Sequence, residues 1–459
     1  MVDTLKIGWI TAELTPYVKI GGLADVSAAL PKALDRLNQD IRIILPKYSS
    51  IDQSYDFENL DISFPDFRGD ICNLYRTKLP NSNVIVYLLD HPLFEGDAYD
   101  HDDLGLRFST FSWLASRVFD QINWHPDIIH ANDWHTALIV PLLQKIPVKT
   151  IFTIHNLAYQ GRESAAHARE IGLDLIIDPE VDEVNYMQLG IQYADKVTTV
   201  SSTYAKEILT EEYGFGLQNN LRKHPAEVEG IVHGIDTDEY DTLHDQYLTQ
   251  NYSVDTIEQK SVNKIALQEK ARLPPSSDQF LIGVVSRLVG QKGMDLLVEI
   301  IPQLVEKNIQ VIVLGTGEDD LEKELQRLQY AFSENVHAFL TYNVKLSHMI
   351  FAGVDGFIVP SKYEPCGLTQ LYAMTYGTVP IVRRTGGLAD TVIESGEKAT
   401  GFLFDEFNSE ALLAAILRAQ AVYLTDKPEW LKLQQNGMRS DLSWDKPAKL
   451  WLDLYHRIL

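Results

Sequence analysis

Cysteine is scarce in this chain: Cys72 and Cys366 are the only two among 459 residues. Two thiols make no disulfide framework and fit a reducing compartment. No apolar run approaches the ~20 residues that a membrane-spanning helix needs, so no membrane partner is expected. Positive charge is also short. Lys and Arg number 40 against 64 Asp and Glu, a formal net charge of −24. A nucleic-acid partner needs basic faces, and none is expected here. No GxGxxG follows the first apolar run, and Gly315-Thr316-Gly317 lacks a third glycine at the right spacing. Both facts speak against a dinucleotide dehydrogenase. No short repeat or low-complexity tract is evident.

What is present suits a large α/β protein. Hydrophobic residues make up 45% of the chain, enough for extensive cores, and its length suggests two or three domains. Apolar runs alternate with helical patterns. In the first half the strands are expected at Leu5–Thr11, Ile41–Leu45, Val84–Leu89, Asp127–His130, Thr150–Ile154, Val197–Val200 and Ile231–Val232. Leu23, Val26, Leu30, Leu34 and Leu37 mark one face of the first helix. The pattern restarts at Phe280–Ser286, then Val311–Leu314, Val336–Phe339, Gly356–Val359 and Val379–Val382. Such alternation predicts parallel sheets with helices on both sides. Residues 236–277 are polar and without strand pattern. The expected domains are 1–240 and 255–440, with a tail at 441–459.

The densest signal runs from Pro360 to Thr391. It reads as two strand–loop–helix units, with Glu364, Cys366 and Gly367 in the first loop and Arg383, Arg384, Gly386 and Gly387 in the second. Helices are expected to open near Leu368 and at Leu388. Loops at the carboxyl ends of parallel strands are where ligands bind, and helix N-termini after glycines attract anions. Five cations, Lys19, Arg287, Lys292, Arg383 and Arg384, lie in such loops of an otherwise acidic chain. A sugar phosphate fits this chemistry.

The segment resembles the C-terminal signature of bacterial glycogen synthases and plant starch synthases. The similarity extends to KIGGLADV at Lys19–Val26, HANDWH at His130–His135, TIHNLAYQG at Thr153–Gly161, SRLVGQKGMD at Ser286–Asp295, GTGEDDLE at Gly315–Glu322 and NGMRSDLSW at Asn436–Trp444. It covers nearly the whole chain. The resemblance implies a retaining glycosyltransferase that moves glucose from ADP-glucose to an α-1,4-glucan. It also implies the GT-B fold: two Rossmann-like halves facing across a cleft, with the C-terminal helix packed back on the first. No metal or other cofactor is implied. With no signal or transit peptide visible, the expected location is the cytoplasm, or the plastid stroma if a transit peptide has been removed.

Family roles carry over onto matching positions. Glu364 is the essential carboxylate, holding the donor glucose. Arg287 and Lys292 neutralise the leaving pyrophosphate, and Lys19, beside Gly21 and Gly22, contacts a donor phosphate. His155 and Asn156 face the donor sugar, His155 at its 6-hydroxyl, and Asp133 orients sugar hydroxyls. Tyr342 stacks on adenine. The backbone around Cys366, Gly367, Leu368 and Thr369 receives the distal phosphate. Asp25 and Tyr99 are expected to line the cleft. Asp100-His101-Asp102 and Asp236-Thr237-Asp238 match the D-x-D of a different, metal-dependent fold, and neither is read as a metal site. His125, His130 and His135 share no helix face and make no ligand set.

The chain also departs from the family pattern. His233 replaces an asparagine expected at the donor sugar, and imidazole lacks the paired functions of an amide. Arg162-Glu163, Gln188 and Ser202 replace an apolar pair, a lysine and a proline. Two rival readings follow: a weakly catalytic sugar or nucleotide sensor, and a nucleotide-sugar epimerase that needs no glucan.

Overall fold

The computed structural model describes residues 4–52, 54–174 and 180–459. They form two compact units, Met1–His233 with Trp444–Leu459, and Gly234–Ser443.

The first unit is built on a nine-stranded sheet. Its strands are β1 (Lys6–Ile10), β2 (Asp40–Pro46), β3 (Glu58–Pro65), β4 (Ile71–Lys78), β5 (Ile85–Asp90), β6 (Ile128–Asn132), β7 (Lys149–Ile154), β10 (Lys196–Thr199) and β11 (Glu229–Gly230). A separate antiparallel pair is made by β8 (Arg162–Ser164) and β9 (Glu183–Asn185). The sheet order is β11-β10-β7-β6-β1-β2-β5-β4-β3. Pairing is parallel from β11 to β5, and β4 and β3 then add antiparallel to β5. Strands β3 and β4 are absent from the sequence reading; β3 is the mostly exposed sheet edge, and β4, inside it, buries only Cys72 and Leu74. In β3 (ENLDISFP) only Phe64 is buried. The last expected strand also moves: Ile231–Val232 lies just past β11, which is only two residues long.

The helix Gly22–Arg36 follows β1 and buries Leu23, Val26, Leu30 and Leu34, the i, i+3, i+7, i+11 stripe of one helix face. The C-terminal helix Asp445–Ile458 packs against it. Trp451, Leu454 and Tyr455 of that last helix are buried. The Tyr455 hydroxyl lies 2.8 Å from His130 Nδ1, and the His130 ring sits between Trp451 at 4.9 Å and Trp9 at 4.2 Å. His130 is thus a core histidine that ties the tail to the sheet.

The second unit is wholly parallel. Strands β12 (Leu281–Val285), β13 (Gln310–Leu314), β14 (Val336–Phe339), β15 (Gly356–Val359), β16 (Val379–Arg383) and β17 (Phe402–Phe404) run in the order β14-β13-β12-β15-β16-β17. Alternate side chains go to opposite faces. Ile282, Val284, Val311 and Val313 join one buried cluster, and Leu281, Ile312 and Leu314 join the other. Strand order reverses direction at β12–β15, the switch point where open α/β sheets bind ligands. Residues 236–277 fold as turns, a 3₁₀ segment at Val254–Gln259 and the helix Lys260–Lys270.

Candidate active site

At the switch point of the second unit, the loops after β12 and β15 line a cavity of about 130 Å³. Its walls include Arg287, Lys292, Ser361, Glu364 and Thr369. The loops approach closely at Gly293, whose φ is +68 and where a Cβ would stand 2.1 Å from the Pro360 carbonyl oxygen. Only glycine takes this position without strain. Glu364 is 7% exposed. Its Oε2 accepts hydrogen bonds from Lys292 Nζ at 2.6 Å and from the Ser361 hydroxyl at 2.8 Å. One carboxylate oxygen is therefore fixed by two donors. Arg287 is exposed on the same wall, and its guanidinium makes no ion pair among the described residues.

The loop behind Glu364 is held from two sides. Gln370 Nε2 donates to the Gly367 carbonyl at 2.8 Å and the Cys366 carbonyl at 3.4 Å. Gly387 N–H donates to the Glu364 carbonyl at 3.1 Å. Gly386, with φ +45, approaches so closely that a Cβ would lie 1.9 Å from the Glu364 carbonyl oxygen. The helices begin at Thr369 and Gly386. Gly367 has φ +71, Leu368 is the N-cap of the first of these helices, and Cys366 is buried.

Two of the five cations have a different use from the one expected. Arg384 pairs with Asp405 at 2.8 Å and Glu394 at 3.2 Å. Arg383 donates to the carbonyls of Asp405 and Lys362. Both arginines fasten loops. Tyr342 follows β14 and is 75% exposed, so it is no core tyrosine, and it lies outside the lining of the cavity.

The first unit carries a second constellation, after β1, β6 and β7, three adjacent strands. Lys19 pairs with Asp25 at 2.8 Å, and Thr15 also donates to Asp25. The N–H groups of Ile20 and Gly21 do not stand open to an anion. Both donate to Glu13 Oε2, at 3.1 and 2.8 Å, and Tyr99 donates to Glu13 Oε1 at 2.5 Å. Glu13 thus shapes the loop that ends at Gly22, where the helix begins. Neither Glu13 nor Ser361 was singled out in the sequence; each is a single polar residue just past a strand end, which is a weak signal.

Asp133 follows β6 with φ 57 and ψ −179, a region nearly confined to glycine and costing roughly 1–3 kcal/mol. Its Oδ1 accepts the N–H groups of His155 at 2.7 Å and Asn156 at 3.3 Å. Burial pushes the Asp133 carboxyl up to about 7, against the pull of those two hydrogen bonds. Asp133 therefore braces the His155–Asn156 turn. Asn156 Oδ1 in turn caps Ala158 N–H.

The His155 tautomer follows from its partner. Asn132 Nδ2 donates to the carbonyls of Ile10 and His130, so Asn132 Oδ1 is the acceptor. It lies 2.9 Å from His155 Nε2, which must carry the proton. His155 Nδ1 is left as an acceptor, and burial holds the ring at about 3, neutral near pH 7. The His233 ring lies 5.7 Å from that of His155 and 5.2 Å from Trp444. It is 5% exposed, and its Nε2 has no hydrogen-bond partner among the described residues.

Comparison with known proteins places the chain, by sequence and fold, in a family. A family model described as starch synthase catalytic domain matches residues 6–223, and one described as glycosyl transferases group 1 matches residues 267–434. A glycogen synthase from Clostridium novyi (strain NT) is 41% identical over 99% of each chain. One from Trichodesmium erythraeum (strain IMS101) is 39% identical, also over 99% of each. Among solved structures, the catalytic domain of starch synthase IV from Arabidopsis thaliana, bound to ADP and acarbose, superposes with a TM-score of 0.93 at 34% identity over 99% of both chains. A sucrose-phosphate synthase from Thermosynechococcus elongatus shares the fold, with a TM-score of 0.63 at 18% identity over 99% of both chains.

Proposed function

The chain belongs to the glycogen and starch synthase family of GT-B glycosyltransferases, and from that premise we propose that it moves glucose from ADP-glucose to the non-reducing end of an α-1,4-glucan with retention of configuration. The observation that carries this reading is the cavity at the β12–β15 switch point. It sets a buried carboxylate, its paired lysine and an exposed arginine around one small space.

The roles follow from that chemistry. Arg287 and Lys292 hold the pyrophosphate and stabilise the charge it gains on leaving. Well-placed donors of this kind contribute about 3–4 kcal/mol each. Glu364, with Oε2 occupied, offers Oε1 to a hydroxyl of the donor glucose, and its charge favours a cationic sugar. The N-terminus of the helix at Thr369 receives the distal phosphate through the backbone of Gly367 to Thr369. Tyr342 stacks on adenine. In the first unit, His155 Nδ1 accepts a hydrogen bond from a sugar hydroxyl, and His233 offers one further contact. Lys19 exchanges Asp25 for a donor phosphate. Front-face attack, with the leaving phosphate taking the acceptor proton, uses no metal. A trapped glucosyl–enzyme ester would contradict it. No described helix is long and apolar enough to cross a membrane, and we place the protein in the cytoplasm.

The test is transfer of labelled glucose to glycogen, with ADP-glucose and UDP-glucose compared and a control without primer. Incorporation from ADP-glucose that requires primer is the expected result. Folded protein that binds nucleotide but transfers from neither donor overturns the reading and points to a sensor. Free sugar-nucleotide product without primer points to an epimerase.

A further inference from the structure

Away from both constellations, at the exposed end of the β3–β4–β5 edge, three ligand-type side chains converge. Asp66 and Asp70 flank the turn between β3 and β4, and His91 follows β5. One atom from each lies within 4.8 Å of the other two, and they are the one such group among the described residues. Two of these atoms, Asp66 Oδ2 and His91 Nε2, are buried and face each other as a long ion pair, with no well-aligned hydrogen bond among the described residues, in residues each 5% exposed. Buried polar atoms left without a hydrogen bond are costly and point to a missing partner.

The spacing says what that partner is. His91 Nε2 and Asp66 Oδ2 are 3.4 Å apart, long for a hydrogen bond. Two ligands with bonds of about 2.0–2.1 Å that subtend a tetrahedral angle stand roughly 3.4 Å apart. We propose that Asp66, Asp70 and His91 bind one divalent cation of the zinc class, completed by water, which ties the β3–β4 turn to the end of β5. One imidazole and two carboxylates suit a borderline ion; magnesium and calcium prefer all-oxygen sets.

The surroundings agree. Asp66 Oδ1 accepts the N–H groups of Arg68 at 2.8 Å and Asp70 at 2.9 Å, which orients the carboxylate and leaves Oδ2 for the ion, as outer contacts of metal ligands do. The nearby cations are engaged elsewhere: Arg68 with Glu170, and Lys47 with Asp90. His91 is buried beside Asp66. The neutral ring is the form that ligates metal. Asp70 is exposed and gives the ion a route in. One contact opposes the assignment. His91 Nδ1 accepts the Leu93 N–H at 3.3 Å, and binding through Nε2 puts the ring proton on Nδ1, so this long contact is given up.

The experiment uses tag-free, chelator-stripped full-length protein titrated with Co²⁺ alone. One tightly bound Co²⁺ per chain with the visible bands of a tetrahedral site, displaced by Zn²⁺, is expected. Zn²⁺ should also raise the unfolding midpoint. Asp70→Asn lies on the surface and spares the fold. It should weaken Co²⁺ binding more than about tenfold while leaving glucose transfer unchanged, and His91→Ala should abolish the bands. Stripped protein that binds no Co²⁺, or variants that bind it as the parent does, overturns the proposal.

Discussion

Asp133 should leave a pH signature that one substitution removes. Its carboxyl stands at about 7 because of burial, against an ordinary 3.8. Between those values the unfolded chain has lost the proton and the folded unit keeps it. Folding takes up a proton, so stability falls as pH rises through this window. One pKa unit is worth about 1.4 kcal/mol. From pH 5 to pH 8 the carboxyl therefore destabilises the first unit by about 2.5 kcal/mol. Asp133→Asn keeps an oxygen for the His155 and Asn156 N–H groups, tolerates positive φ and does not titrate. Relative to the parent, the variant should gain about 2.5 kcal/mol between pH 5 and pH 8. Other titrating groups are common to both proteins and cancel. Urea unfolding followed by tryptophan fluorescence is the assay. Trp9, Trp113, Trp124, Trp134, Trp444 and Trp451 belong to the first unit, and only Trp430 to the second. A stability difference that is the same at both pH values refutes the account of Asp133 as a buried, proton-holding brace.

Lys292→Ala should lower the initial rate of glucose transfer by about 10²–10³-fold in protein that stays folded by circular dichroism; near-normal turnover removes Lys292 from the mechanism. Tyr342→Ala should raise the KM for ADP-glucose about tenfold, from lost stacking, with an unchanged melting midpoint because the ring is 75% exposed. Trp451→Ala should cost about 3–5 kcal/mol in urea unfolding of the first unit, and a loss under about 1 kcal/mol would mean the last helix does not anchor the sheet. In Asp133→Asn protein, acid should destabilise that unit. His135 and His155 stand at about 3 in the fold because of burial, against 6.5 unfolded, so their stability contribution is present above 6.5 and is lost as pH falls. About 2 kcal/mol each should go by pH 5, and a flat profile contradicts this.

The parallel strands of the second unit were legible because they are compact apolar runs, largely buried in β12, β13 and β15. β12, β13, β14 and β15 lie within a residue or so of their expected bounds. The antiparallel edge was not. β3 buries little, and its alternation of apolar and polar residues from Leu60 to Phe64 is a short period-2 signal that went unread. β17, three residues long, is below the length at which a pattern exists. At the site, the sequence named charged residues near glycines, and the fold brings Arg287, Lys292 and Glu364 of that set to one cavity. The cavity leaves out Arg383 and Arg384, whose partners Asp405 and Glu394 come from separate segments that only the fold brings alongside.

The same reasoning explains why Glu13 and Ser361 went unnoticed. Each acts through another group: Glu13 on the backbone of Ile20 and Gly21, Ser361 on Glu364. A residue that touches substrate must carry a chemistry its type announces, whereas a residue that fixes a neighbour needs only a lone pair or a proton in the right place. Glu13 also changes what the glycine loop can be. With two backbone donors already taken, the loop cannot hold a phosphate through Ile20 and Gly21 unless Glu13 moves. Lys19, held against Asp25 by a partly exposed pair worth little in water, can change partner at small cost. In the proposed reaction any phosphate contact of the first unit therefore falls to Lys19, and the glycines serve to let the chain turn into its first helix.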